Sequence, residues 1–123
     1  MRLNHINLIV TDIAKAIELF VQHFGFTCIE NRKDAIGVLT NEEKFVIILW
    51  ASKLNKTTEI CYPENFHIGF YQEDQEAVVR IYEGLKASGG ELVFDSEPRK
   101  LRDTFGFYFH FDKLMIEISV MPA

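Results

Sequence analysis

Residues 5–20 read HINLIVTDIAKAIELF, and residues 67–82 read HIGFYQEDQEAVVRIY. Laid one above the other without a gap, His5 meets His67, Ile6 meets Ile68 and Asp12 meets Asp74. Further along, Ile17 meets Val79 and Phe20 meets Tyr82, always at a spacing of 62 positions. Two copies are too few for a solenoid, so the repeat predicts two similar modules packed together.

Each copy opens on a strand, over 3–10 and 65–71, and passes into a helix. Thr11 or Asp12 can cap the first helix, whose apolar residues Ile13, Ile17, Phe20, Val21 and Phe24 follow helical spacing. Gly25 supplies the stop, because glycine enters the left-handed conformation without steric cost. In the second copy Asp74 falls near the helix start. Val78, Ile81, Tyr82 and Leu85 make the stripe, and Gly89–Gly90 ends it. Three strands follow each helix, over 26–31, 35–40 and 44–51, then over 91–95, 105–111 and 114–121. Both copies therefore read βαβββ, an α+β plan. The expected organisation is one domain, 1–123, built of a first module at 1–53 and a second at 63–123. In each, one face of the sheet takes the helix. The other must be covered or must form a cavity.

Composition narrows the partners. A 123-residue chain with 48% hydrophobic residues can bury a substantial core, and eleven Phe point to aromatic packing or an apolar cavity. The net charge of −5 argues against a nucleic-acid binder, which needs a basic stripe to displace counterions from phosphates. The one dense basic cluster, PRKLRD with Arg99, Lys100 and Arg102, reads as a loop, either solvated or poised to clamp a small anion. No run approaches the length of a membrane span, and the N-terminus lacks a secretory pattern. Cys28 and Cys61, far apart and without metal spacing, read as free thiols of a cytoplasmic protein.

Alternation along the strands sorts the polar residues. Ile6, Leu8 and Val10 share the helix-facing side of the first strand, which leaves His5 and Asn7 on the other. In the second copy His67, Gly69 and Tyr71 take that other side. In LMIEISV, residues 114–120, Leu114, Ile116, Ile118 and Val120 face the helix, while Met115, Glu117 and Ser119 lie opposite. In FGFYFHFD, residues 105–112, four Phe line the helix side and Tyr108, His110 and Asp112 the other. Each histidine alone is more often an ordinary strand residue than a ligand. The repeat, however, puts His5 and His67 at equivalent points. With Glu117 they suggest a divalent-metal site that leaves coordination positions open. His23 reads as a cation at a helix C-terminus, and His110 as a pocket wall.

The opening LNHINLIVTDIAKAIELFVQHFGF, the second FHIGF and the closing MIEIS resemble the vicinal oxygen chelate superfamily of glyoxalases, bleomycin-resistance proteins and extradiol dioxygenases. The resemblance spans essentially the whole chain. It implies a glyoxalase-like fold, with two βαβββ modules forming a cup-shaped mixed sheet, helices outside, commonly completed in a homodimer. It places His5, His67 and Glu117 at ligand positions, with Glu117 also a candidate for proton transfer. A fourth ligand, often a Glu in glyoxalase-type members, is replaced by Ile48, which argues against glyoxalase I activity. The three-ligand set is similar to those of fosfomycin-modifying thiol transferases and extradiol dioxygenases. The chain nevertheless has Asn7 where the former carry a hydroxyl residue, and HFDKLM in place of the loop pattern DPDGN.

Two functions follow. The first is a metal-dependent enzyme of lyase, isomerase, thiol transferase or dioxygenase type acting on a small oxygen-rich substrate. Its ion would be Mn, Fe, Zn, Ni or Co, and its substrate-binding residues would be Asn7, Trp50, Arg102, Tyr108, His110 and Ser119. The second is a metal-free binding protein of the bleomycin-resistance kind, holding a flat ligand by aromatic contacts. An unpaired Glu on a strand beside two histidines is costly without a cation, which favours the enzyme.

Overall fold

The computed structural model describes residues 1–55 and 59–122, and the chain divides into two compact units, 1–61 and 62–123. The first unit runs β1 (His5–Val10), α1 (Ile13–His23), β2 (Thr27–Arg32), β3 (Ile36–Thr40) and β4 (Val46–Ala51), then a short 3-10 turn at Ser52–Leu54. Its sheet has the order β1-β4-β3-β2 and stays open. β1 runs parallel to β4, and the other pairings are antiparallel.

Helix α1 starts at Asp12, whose carboxylate accepts the Lys15 N–H at 3.0 Å, and the chain leaves it through Gly25 at φ +74°. The helix buries Ile13, Ala16, Leu19 and Phe20 against the sheet, where Leu8, Val10, Leu39, Ile47 and Leu49 are fully buried. Each such side chain is worth roughly 1.5–3 kcal/mol of burial. Gly37 is the close-approach point, since a Cβ there would sit 3.4 Å from Ile17 Cδ1 and 3.5 Å from Ile13 Cγ2. Val21, expected in the buried stripe, is exposed instead. The stripe turns through Leu19, which shares its face with Ala16 and Phe20.

The second unit runs β5 (His67–Gln72), α2 (Gln75–Ala87), β6 (Leu92–Phe94), β7 (Arg99–Leu101), β8 (Thr104–Phe111) and β9 (Leu114–Val120). Its order is β5-β9-β8-β6, with β5 parallel to β9 and with β7 also pairing β8. Asp74 caps α2 by accepting from Ala77 N–H at 2.9 Å. Under α2 the rings of Tyr82, Phe94, Phe107 and Phe109 meet at centroid distances of 5.2–6.2 Å, edge-on where Tyr82 takes part and tilted or stacked among the Phe rings, with Lys86 Nζ above Phe94.

The basic stretch expected as a loop is in part a strand. Arg99, Lys100 and Leu101 pair with Gly106, Phe105 and Thr104, and Arg102 then turns the chain at φ +46°. A three-residue, largely polar edge strand carries no hydrophobic alternation by which it can be read. Cys28 and Cys61 are free thiols. Among the described residues, no helix is long and apolar enough to cross a membrane.

Candidate active site

Parallel pairing of β5 with β9 sets His67 beside Met115 and Gly69 beside Glu117, and antiparallel pairing of β8 with β9 sets Tyr108 beside Glu117. His67, Glu117 and Tyr108 therefore share the face turned away from α2, as alternation requires.

Glu117 is held from two sides. Its Oε2 accepts the Ser119 hydroxyl at 2.7 Å, and the Tyr108 phenol donates to the same carboxylate. Ser119 is itself buried, in space left by Gly106 on the neighbouring strand. A Cβ on Gly106 would overlap the Ile118 carbonyl and lie 2.8 Å from Ser119 Cα, so β8 and β9 pack here as only glycine permits. The remaining oxygen, Glu117 Oε1, faces His67 Nε2 at 3.6 Å.

The tautomer of His67 follows from its other nitrogen. Nδ1 lies 2.9 Å from the Asn65 carbonyl, which can only accept, so Nδ1 carries the proton. In the neutral ring, Nε2 then presents a lone pair toward a carboxylate oxygen. Asn65 reaches this position from the left-handed region at φ +66°, a conformation Asn tolerates better than most residues. It was the one signal for this contact, and it lies two residues before the repeated motif. The His67 ring also meets Tyr108 edge-on, at 5.6 Å between centroids.

The Tyr108 phenol titrates above the ordinary tyrosine value. The hydrogen bond to Glu117 is the leading cause, followed by burial and the Glu117 charge, with Arg102 opposing. Tyr108 is therefore a neutral donor near pH 7. These residues open onto a cavity of about 880 Å³ within the second unit, a volume suited to a small molecule. Arg99, Lys100, Arg102 and Thr104 form part of its wall, with Tyr71 and Asp95.

Of the residues anticipated in the sequence, His67, Tyr108, Glu117 and Arg102 line this cavity. Ser119 lies behind Glu117 as its hydrogen-bond donor. His110 is set through Asp95, whose Oδ1 is 3.4 Å from His110 Nδ1. His5, Asn7 and Trp50 belong to the first unit. His5 is exposed, with Nδ1 2.7 Å from Asn4 Oδ1, which leaves its Nε2 unengaged by that contact. Asn7 pairs in register with Ile48, and Trp50 with Ile9 and Ile36. No group of three or more His, Cys, Asp or Glu side chains able to hold an ion forms among the described residues. The second unit by itself offers a two-ligand start. His23 does end α1, but burial lowers its pKa from the ordinary value despite nearby Glu18, so it is a neutral imidazole near pH 7 rather than the expected cation.

Residues 2–118 match the family model of the Glyoxalase/Bleomycin resistance protein/Dioxygenase superfamily. The chain belongs to this superfamily. A Bacillus cereus protein described as a possible glyoxalase is 33% identical, with 97% of this chain and 98% of that one covered, at a TM-score of 0.81. A genomically encoded fosfomycin resistance protein from Listeria monocytogenes is 23% identical, with coverage of 98% and 90% and a TM-score of 0.74. A lactoylglutathione lyase from Agrobacterium tumefaciens, 12% identical with coverage of 97% and 92%, shares the fold at a TM-score of 0.72. No curated protein matches the chain. The superfamily's α+β glyoxalase-like fold accounts for two helices and two open mixed sheets, of four and five strands.

The His67–Glu117 pair fits the divalent ions this superfamily commonly uses. Two donors held about 2.1 Å from one tetrahedral ion stand roughly 3.4 Å apart, close to the spacing of these two atoms. A backbone carbonyl fixing the proton on Nδ1 is the outer support that a ligating histidine needs.

Proposed function

We propose that this protein is a divalent-metal-dependent enzyme acting on a small oxygen-rich substrate, with His5, His67 and Glu117 as the metal ligands. The observation that carries the reading is the approach of His67 Nε2 to Glu117 Oε1 with the Nδ1 proton committed to Asn65. Two acceptor atoms turned toward one another call for a proton or a cation between them. His5 joins the set as the repeat equivalent of His67. The ion is one of Mn, Fe, Zn, Ni or Co, and the enzyme works as a cytoplasmic homodimer whose single domain, 1–123, is built of modules 1–53 and 63–123.

When bound, such an ion supplies Lewis-acid polarisation of a substrate oxygen. The protein's own residues supply the rest. Ser119 and Tyr108 fix the Glu117 carboxylate, which leaves Oε1 facing His67 Nε2, and the same carboxylate is assigned to take a substrate proton. Tyr108, protonated at neutral pH, spends its one proton on Glu117, so its phenol oxygen is left to accept from a substrate hydroxyl. Asn7, Trp50 and His110 are assigned to substrate contact.

The test is metal analysis of protein purified without chelator, then thermal melting with and without each ion. An ion that binds the native state raises the melting temperature, by about 2.7 kcal/mol of stability at a hundredfold excess over Kd. The rise should disappear in His67→Ala and Glu117→Ala and shrink in His5→Ala. No bound metal and no shift with any ion would end the proposal. One observation favours a second reading, a metal-free binding protein. The corresponding face of the first unit carries Ile36, Val38, Ile48 and Trp50, apolar and only half-buried. That reading expects a ligand-induced melting shift with no metal requirement.

A further inference from the structure

We propose that the β7 hairpin makes the cavity of the second unit a receptor for substrates bearing an oxyanion group, whether carboxylate or phosphate. Arg99, Lys100 and Arg102 would hold that group, and the rest of the molecule would lie toward His67 and Glu117. Only this last placement rests on the metal-enzyme reading.

The chain carries a net charge of −5, yet three of its thirteen Lys and Arg fall within four positions on one wall of this cavity. Register aims part of the cluster inward. Arg99 pairs with Gly106 and Leu101 with Thr104, and Gly106 shares its face with Tyr108, which pairs with Glu117. Arg99 thus projects over a residue with no side chain to obstruct it. Its Nε is spent on Ser96 Oγ at 3.2 Å, which steadies the guanidinium and leaves the terminal nitrogens for a bidentate acceptor. Arg102 follows in the left-handed turn that closes the hairpin onto β8. Two carboxylates share the wall. Asp95 is directed to His110, and Asp103 sits in the turn beside Arg102. The wall is therefore cationic along the hairpin, while the floor presents Glu117, held by its hydroxyl donors. A substrate with an anion at one end and neutral oxygens at the other matches that division.

The test titrates inorganic phosphate and, separately, acetate into the EDTA-treated full chain at low ionic strength, followed by calorimetry. Saturable binding is expected for at least one anion, and the one bound more tightly identifies the source of the oxyanion. Binding should weaken at least about tenfold in Arg99→Gln and in Arg102→Gln. It should remain unchanged in Lys113→Gln, which removes a charge from the β8–β9 turn outside the cavity. Melting curves of each variant verify that it is folded. Absence of saturable binding of either anion by about 100 mM would overturn the proposal. So would unchanged affinity in the folded Arg99→Gln/Arg102→Gln double variant. The metal is absent throughout, so failure here leaves the metal assay intact, and failure of the metal assay leaves this result standing.

Discussion

The two units present the same nine positions on the face away from the helix, filled in opposite ways. In the first unit β1, β4 and β3 contribute His5, Asn7 and Ile9, then Val46, Ile48 and Trp50, then Thr40, Val38 and Ile36. In the second, β5, β9 and β8 contribute His67, Gly69 and Tyr71, then Met115, Glu117 and Ser119, then His110, Tyr108 and Gly106. Only the histidine at the head of the first strand is common to both. Where one sheet centres on Ile48 against Val38, the other centres on Glu117 against Tyr108. The lesson is that a carboxylate is not simply added to a strand. It comes with a hydroxyl on each side and a glycine that makes room for one of them.

Swapping residues between equivalent positions breaks or sharpens that comparison. The largest effect is expected from Gly106→Ile, which places the side chain of Ile36 where a Cβ already collides with β9. Chemical denaturation should show a loss of about 3 kcal/mol or more, or no folded protein. On the metal-enzyme proposal, Glu117→Ile should weaken metal binding by at least about 100-fold, read as loss of the metal-induced melting shift. The converse, Ile48→Glu, should create no site and cost about 1–3 kcal/mol, because Val38 and Trp50 stand where Tyr108 and Ser119 would donate.

Tyr108→Phe removes one of the two donors, and about 1 kcal/mol of stability is at stake. Its pH dependence has a defined sign. A phenol whose folded pKa is raised stabilises fully below the ordinary value of 10 and loses that contribution as pH rises through the folded value. Stability of the wild type should therefore fall above pH 10 more steeply than that of Tyr108→Phe. The smallest effect concerns His23, whose repeat counterpart is the buried Leu85. With its pKa lowered by burial, His23 contributes stability present above pH 6.5 and lost as pH falls through the folded value. His23→Leu should flatten the stability curve in that acid range.

Much of this was legible in the residues. The 62-residue repeat and strand alternation located both helices, their caps Asp12 and Asp74, and the shared face of His67, Tyr108 and Glu117. Those features are local or periodic, so spacing records them. Three others are not. β7 is a short edge strand specified by its partner β8 rather than by its own pattern. The state of His23 depends on what packs over it. The Asn65 carbonyl reaches His67 through backbone conformation, which side-chain identity reports only faintly.

The parallel pairing of β5 with β9 joins the first strand of the second unit to its last. His67 and Glu117 are fifty positions apart, and closing a loop of that length costs roughly 3.5 kcal/mol of chain entropy. Neither partial chains nor local hairpins can bring the two side chains together. Occupancy of the pair would therefore serve as a clock on refolding, starting only when β9 has docked, and any ion bound there would slow unfolding by fastening the two ends of the unit.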